Sequence, residues 1–374
     1  MMDEVVEKFT FDPLSYYSGM IPKLRFNAAL IAIWGLLLIC HILQLYWKQY
    51  WFSIAFICAA ILEVLGYIGR TASHFNVYNI DMFLLQIICL TIAPVFTMGG
   101  IYYQLAKLIE IYGHRFSLLP SPMAYSYIFI FSDVVSLAIQ AAGGGTSGVA
   151  VNEGTSTKKG DRIFEAGIAI QLASMIIFLG LWLHFLYMIY IKVRLEYTGE
   201  RRFRFSMLKI PQEKLDHLYR EKYSDLRINP KRFVFHHFNL ALTATVLLVI
   251  VRCCYRLAEL HQGWRGFLIT HEWYFIILDS LMVTLATVIM TIFHPGFAFK
   301  GRHLSIPVTH GRVDPETVES TDSHILSEST DSMEKDENEK VAVPEIVPDT
   351  DDIEKRPFYK KVPKMSFSIP FRKK

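Results

Sequence analysis

Ionisable and amide side chains recur at intervals of seven inside the most apolar parts of this chain. Glu63 and Arg70 stand seven apart in EVLGYIGR, Asp133 and Gln140 in DVVSLAIQ, and Glu272 and Asp279 in EWYFIILD. Seven residues are close to two helical turns, so each pair shares one face of a helix. Arg252, Arg256 and Glu259 follow the i, i+4, i+7 pattern, which again selects one face. A charge at bilayer depth costs roughly 2.5 to 3.5 kcal/mol on insertion scales, so such groups turn toward a bundle interior or toward water. Two chemistries fit. Glu63, Asp133 and Asp279 pair with Arg70, Arg252 and Arg256 across helices and fix the packing, or some of the carboxylates line a path and meet a cationic or polar substrate group. Glu63, Asp133, Glu272 and Asp279 outnumber the three arginines. At least one acid therefore lacks a partner in this set, although Gln86, Gln104, Gln171 and His184 lie at similar depth.

The elements that must hold these groups are apolar stretches near 26 to 46, 50 to 68, 82 to 109, 122 to 142, 164 to 191, 234 to 253 and 272 to 293. A hydrocarbon core about 30 Å thick needs roughly 20 apolar residues at helical rise, and only helices satisfy their own backbone in lipid when strands do not close a barrel. With 52% hydrophobic residues arranged in blocks, the chain reads as an all-α membrane protein of seven transmembrane helices. Pro94 removes one helical hydrogen bond, and with Gly99 and Gly100 it marks a kink or hinge in the third span. Under a seven-span model 10 of the 38 Lys and Arg fall on the side of the amino terminus and 28 on the other. That bias predicts an amino terminus outside and a carboxyl terminus in the cytosol. The expected organisation is an extracellular segment 1–25, a membrane domain 26–300 with a cytosolic loop at about 192–233, and a cytosolic tail 301–374.

The first 25 residues carry Asp3, Glu4, Glu7 and Asp12 without an uninterrupted apolar core, which argues against a cleaved signal peptide. No Asn-x-Ser/Thr sequon occurs. In the cytosolic loop Leu215, Leu218, Tyr219, Tyr223 and Leu226 recur at three and four, the pattern of an interfacial amphipathic helix, with an irregular linker as the alternative. The tail is acidic and poor in aromatics before Phe358, a composition expected to be disordered and to offer sites for cytosolic partners. Its basic end, from Lys360 to Lys374 with Phe367 and Phe371 interleaved, suits an anionic inner leaflet or simple solvation. Cys40, Cys58, Cys89, Cys253 and Cys254 all fall inside the spans without ligand spacing, so no metal site is expected. The sequence contains no GxxxxGK[ST], HExxH, paired CxxC or GxSxG, so it shows no nucleotide, metalloprotease or serine-hydrolase motif and no catalytic residue. An enzyme with a scattered carboxylate site is left open; no nucleic-acid partner is expected.

Several dispersed motifs, in order, resemble the fungal lipid-translocating exporter family. They are EVLGYIGR (Glu63 to Arg70), LTIAPVFTMGGIYYQL (Leu90 to Leu105), FSDVVSLAIQAAGGG (Phe131 to Gly145), RCCYRLAEL (Arg252 to Leu260), ITHEWYFIILD (Ile269 to Asp279) and HPG (His294 to Gly296). The likeness runs from about Gly19 to Arg302. It implies a multi-pass plasma-membrane protein that moves sphingoid long-chain bases, phytosphingosine and dihydrosphingosine, from the cytosolic to the outer leaflet. That would lower toxic intracellular bases and help maintain lipid asymmetry. It also implies dependence on cellular ATP. A sphingoid base carries an ammonium and hydroxyls, and a carboxylate at depth would offset the desolvation of that head. Glu63, Asp133, Glu272 and Asp279 are therefore candidates for the head-group acid. Gln140 and Gln104 would assist, and the glycines after Gln140 would give room to pass. The alternatives are a seven-helix sensor of sphingolipid or lipid-asymmetry responses and an exporter of another amphiphile.

Overall fold

The structure, a computed structural model, describes residue 17, residues 20–200, residues 202, 204, 207 and 210–229, residues 232–263, residues 266–301 and residues 306–308. Of the expected extracellular segment 1–25 this leaves only residues 17 and 20–25. The expected tail, except residues 301 and 306–308, lies outside the described residues.

Seven helices long and apolar enough to cross a membrane dominate the described residues, and no strand occurs among them. They are α1 (Leu24–Trp47), α2 (Tyr50–Phe75), α3 (Ile80–Tyr112), α4 (Pro122–Ala150), α5 (Lys158–Thr198), α6 (Phe233–His261) and α7 (Glu272–Ala298). The helices outrun the apolar stretches because their polar end turns keep helical geometry beyond the hydrocarbon. Local chemistry sets several ends. The Asn79 side chain accepts from the backbone N–H groups of Asp81 and Met82 and so caps α3, with Asp81 at the favourable end of the helix dipole. Gly113, at φ 122°, ends the same helix in a conformation that side chains disfavour.

The bundle packs α2 along α3, α4 along α5, α1 along α2, and α6 against α7 and α5. Outward faces carry Leu36, Leu43, Trp51, Phe131, Ile177 and Leu240, exposed apolar side chains that lipid would cover. Inward faces carry Phe52, Phe56, Ile101, Tyr102, Phe178, Trp182 and Phe238, all fully buried. Small residues let paired helices approach closely. A Cβ at Gly69 of α2 would stand 2.9 Å from the Met82 carbonyl oxygen of α3, and one at Gly143 of α4 would stand 2.7 Å from Phe164 Cα of α5. Gly143 thus serves close packing in this structure and leaves no open passage at that point. Gly100 abuts Phe56, whereas Gly99 meets nothing within 4 Å.

The described stretch 210–229 between α5 and α6 is neither one amphipathic helix nor an irregular linker. It folds into short turns, Gln212–Leu215, Asp216–Leu218, Glu221–Tyr223 and Ser224–Ile228. Leu215, Tyr219, Tyr223 and Leu226 are buried in the same core as α3 and α5, because their apolar spacing is met by the bundle end. Arg227 locks the segment by donating to Asp216 Oδ1 at 2.7 Å and to the carbonyls of Ile111 and Arg220 at 2.6 Å each. Outside the spans, Asp225 is held below its ordinary pKa by the exposed Lys300 ammonium bonded to it.

Candidate functional site

Most of the charges marked in the sequence meet between α2, α6 and α7. Arg70 Nη2 of α2 donates to Glu272 Oε1 of α7 at 3.1 Å, and the Lys23 backbone N–H donates to the same oxygen at 3.0 Å. Asp279 Oδ1 stands 3.0 Å from Arg252 Nε and 2.8 Å from Arg256 Nε. Arg256 Nη1 also donates to Glu259 Oε2 at 2.8 Å, while the Tyr255 hydroxyl donates to Oε1 of the same carboxylate. A π-helical turn over Phe275–Leu281 carries Asp279. The wider turn shifts the face that follows it, a local distortion common at functional positions. The Phe275 ring lies 4.1 Å from the Arg70 guanidinium and 5.3 Å from that of Arg256, within cation–π reach of both. Glu63 is 2% exposed and within electrostatic range of Arg252, Arg256 and Asp279, but among the described residues it makes no ion pair.

This arrangement separates the candidate acids. Glu259, Glu272 and Asp279 are engaged by arginines, of which Arg70 and Arg252 are buried and Arg256 is half-buried, and removing one partner of a buried pair typically costs about 3 to 5 kcal/mol. Asp133 is different. It is 1% exposed on α4 and accepts from the Tyr102 hydroxyl of α3 at 3.0 Å. Its other oxygen is buried without a hydrogen-bond partner, and no cation pairs with it among the described residues. Gln140 donates to Gln171 of α5 at 2.9 Å and leaves its own Oε1 unpartnered. Gln104 of α3 is fully buried with neither amide atom bonded. The structure therefore brings Arg70, Glu272, Arg252, Arg256, Glu259 and Asp279 together and sets Asp133, Gln140 and Gln104 apart on α3 and α4.

Beside the charge cluster runs a cleft that opens to the surroundings. Arg70, Arg256, Glu259, Gln86, Thr91, Phe164 and Phe275 are on its walls, with Tyr17. The Tyr17 hydroxyl donates to Gln86 Oε1 at 2.7 Å, and burial holds this phenol, outside the spans, above its ordinary pKa. Pro94 has a specific consequence here. It leaves the Leu90 carbonyl without its helical donor, and Arg252 Nη2 donates to that oxygen instead.

Sequence reasoning marked most of the charges and set Asp279 among the acids paired with arginine, as observed, but it counted Glu63 and Asp133 there and left out Glu272. Tyr102, Phe275 and Tyr17 gave no signal beyond being aromatic. His41 could have been found as a histidine inside an apolar run. It is fully buried and faces Thr291 Oγ1 at 3.1 Å, near His294, which meets Ser53 Oγ at 3.1 Å. Among the described residues no cluster suited to a metal ion occurs.

Residues 56–302 match the family model described as RTA1 like protein. The chain is 66% identical over 323 residues to a Saccharomyces cerevisiae protein named sphingoid long-chain base transporter RSB1, covering 86% of this chain and 85% of that one. It is 29% identical over 62% of its length to protein RTM1, and 26% identical over 64% to protoporphyrin uptake protein 1, both from S. cerevisiae, covering 63% and 67% of those chains. No solved structure matches.

Proposed function

The chain belongs to the RTA1-like family, and from that membership we propose that it transports sphingoid long-chain bases across a membrane. The observation that carries this reading is the extent of its likeness to the named S. cerevisiae base transporter, which covers most of both chains. The site's chemistry supports it. A sphingoid head is a hydrogen-bond donor with one positive charge, and Asp133 offers a buried carboxylate whose Oδ1 no protein group uses. Bringing an ammonium to such an oxygen offsets part of its desolvation in a low-dielectric interior. Three arginines meet four carboxylates in the charge cluster when Glu63 is included, so that cluster presents no excess of positive charge against an incoming cation.

The finer reading places the protein in the plasma membrane with its amino terminus outside, moving phytosphingosine and dihydrosphingosine from the cytosolic to the outer leaflet. The distribution of Lys and Arg supports the orientation. That export would lower toxic intracellular bases and contribute to lipid asymmetry. The dependence on ATP is indirect in this reading, since the sequence contains no phosphate-loop motif.

Purified protein in liposomes tests the proposal with a fluorescent sphingoid base. Accelerated transbilayer movement is expected. Absence of movement, with retained binding of the base, would favour the sensor. Movement of anionic amphiphiles in preference to bases would favour the second carrier reading, which draws on the guanidiniums of Arg70 and Arg256 along the cleft.

A further inference from the structure

The buried face of α4 carries a polar side chain every second turn. Ser126, Asp133, Gln140 and Ser147 stand at intervals of seven and are 1%, 1%, 2% and 8% exposed. At helical rise the four extend about 31 Å, the thickness of a hydrocarbon core. The helix has an opposite face for lipid, where Phe131 and Val134 are exposed. Glycines bring α4 and α5 into close backbone contact beside the stripe. A Cβ on Gly167 of α5 would stand 3.0 Å from both the Gln140 backbone nitrogen and the Ser136 carbonyl oxygen.

The stripe is also incompletely bonded. Ser126 Oγ, Asp133 Oδ1 and Gln140 Oε1 are all buried without a partner, as is Ser174 Oγ on α5. Each such group costs about 1 to 3 kcal/mol when left unmet, and native interiors satisfy most of them. Two of these atoms can only accept. What completes them must donate hydrogen bonds, and the carboxylate favours a donor with positive charge. At one end of the stripe Ser147 donates to Asp161 Oδ1 of α5 at 2.8 Å, placing a second carboxylate there. Phe164 of α5, whose backbone packs on Gly143 of α4, also lines the cleft described above, so the stripe and the cleft share a wall.

We propose that this face of α4 is the track along which the polar head of the transported amphiphile crosses the membrane once α4 and α5 part at the Gly143–Phe164 contact, with Asp133 holding the ammonium near mid-depth and Gln140, Ser126 and Ser147 meeting its hydroxyls on either side. The proposal rests on the sphingoid-base reading and adds the route of the head. The hydrocarbon chain reaches lipid through the parted seam between α4 and α5.

The test uses the full chain, purified and reconstituted in phosphatidylcholine liposomes, with a sphingoid base fluorescent at its chain end. Gln140→Leu is expected to slow movement severalfold, up to roughly tenfold, the scale of one lost hydrogen bond to a hydroxyl. Ser126→Ala and Ser147→Ala together are expected to slow it severalfold. A base carrying a photoreactive diazirine beside the amino group provides a readout on the unaltered protein, and its label is expected between residues 126 and 147 and on the facing turns of α5. Wild-type rates in all stripe variants with unchanged melting, or label confined to Arg70, Gln86 and Glu259 of the cleft, would overturn the track while leaving base transport intact. If the unaltered chain moves no base, the transport reading fails and the track falls with it.

Discussion

Arg252 donates to the carbonyl of Leu90, the oxygen that Pro94 four residues later cannot bond. The proline therefore does more than bend α3. It exposes an acceptor to a guanidinium that also neutralises Asp279, tying α3, α6 and α7 together. A double-mutant cycle follows from this geometry. Arg252→Met leaves the Leu90 carbonyl bare, and Pro94→Ala then supplies the missing N–H. Pro94→Ala should be more favourable in the Arg252→Met background than in the wild type, by about 1 kcal/mol. Thermal unfolding in detergent measures this; equal effects in both backgrounds would show that the two residues act independently.

Neutralising different carboxylates should have opposite consequences. Glu272→Gln removes the anion facing buried Arg70 and is expected to destabilise by about 3 to 5 kcal/mol, with much of the loss recovered in an Arg70→Met, Glu272→Leu double variant. Asp133→Asn strands no cation and keeps an acceptor for the Tyr102 hydroxyl. It should melt near the wild type yet lose most base transport. An Asp133→Asn protein that folds and moves bases at the normal rate would remove this residue from the head-group role.

The legibility of the sequence divides along physical lines. Spans were readable because lipid imposes length and apolarity on each segment separately, and the helix faces of Glu63, Arg70, Asp133 and Gln140 followed from local periodicity. Pairing was not readable, since Arg70 finds Glu272 across 202 positions and no local rule selects that acid over Asp279. The loop after α5 misled for a related reason. Apolar residues at three and four serve a membrane surface or a protein surface equally well, and here Leu215 and Tyr219 meet the bundle. The glycines after Gln140 suggested open space, whereas Gly143 is closed by the Phe164 backbone.

That closure makes the glycines distinguishable by experiment. Gly143→Ala forces a methyl group into backbone atoms of α5, a contact that only separation of the helices relieves, and should cost about 1 to 3 kcal/mol. Gly145→Ala meets nothing within 4 Å on an exposed face and should be neutral or stabilise by about 0.5 to 1 kcal/mol through helix propensity. Melting temperatures of the two variants, measured side by side, should move in opposite directions or at least differ by that sum.

Arg227 offers the clearest case of one side chain holding a connection in place. Its side chain is 1% exposed and its guanidinium reaches three acceptors, Asp216 Oδ1 and the carbonyls of Ile111 and Arg220. Ile111 lies in the last turn of α3, where carbonyls lack helical partners, so Arg227 caps that helix while it ties down the loop. A lysine preserves the charge but presents a single ammonium instead of a planar fork, and it cannot reach all three acceptors at once. Arg227→Lys should therefore loosen the segment 210–229 without disturbing the seven long helices. Limited proteolysis should cut that segment several times faster in the variant, while helical circular dichroism stays unchanged. Equal cleavage rates would mean that the buried Leu215, Tyr219, Tyr223 and Leu226 hold the loop by themselves.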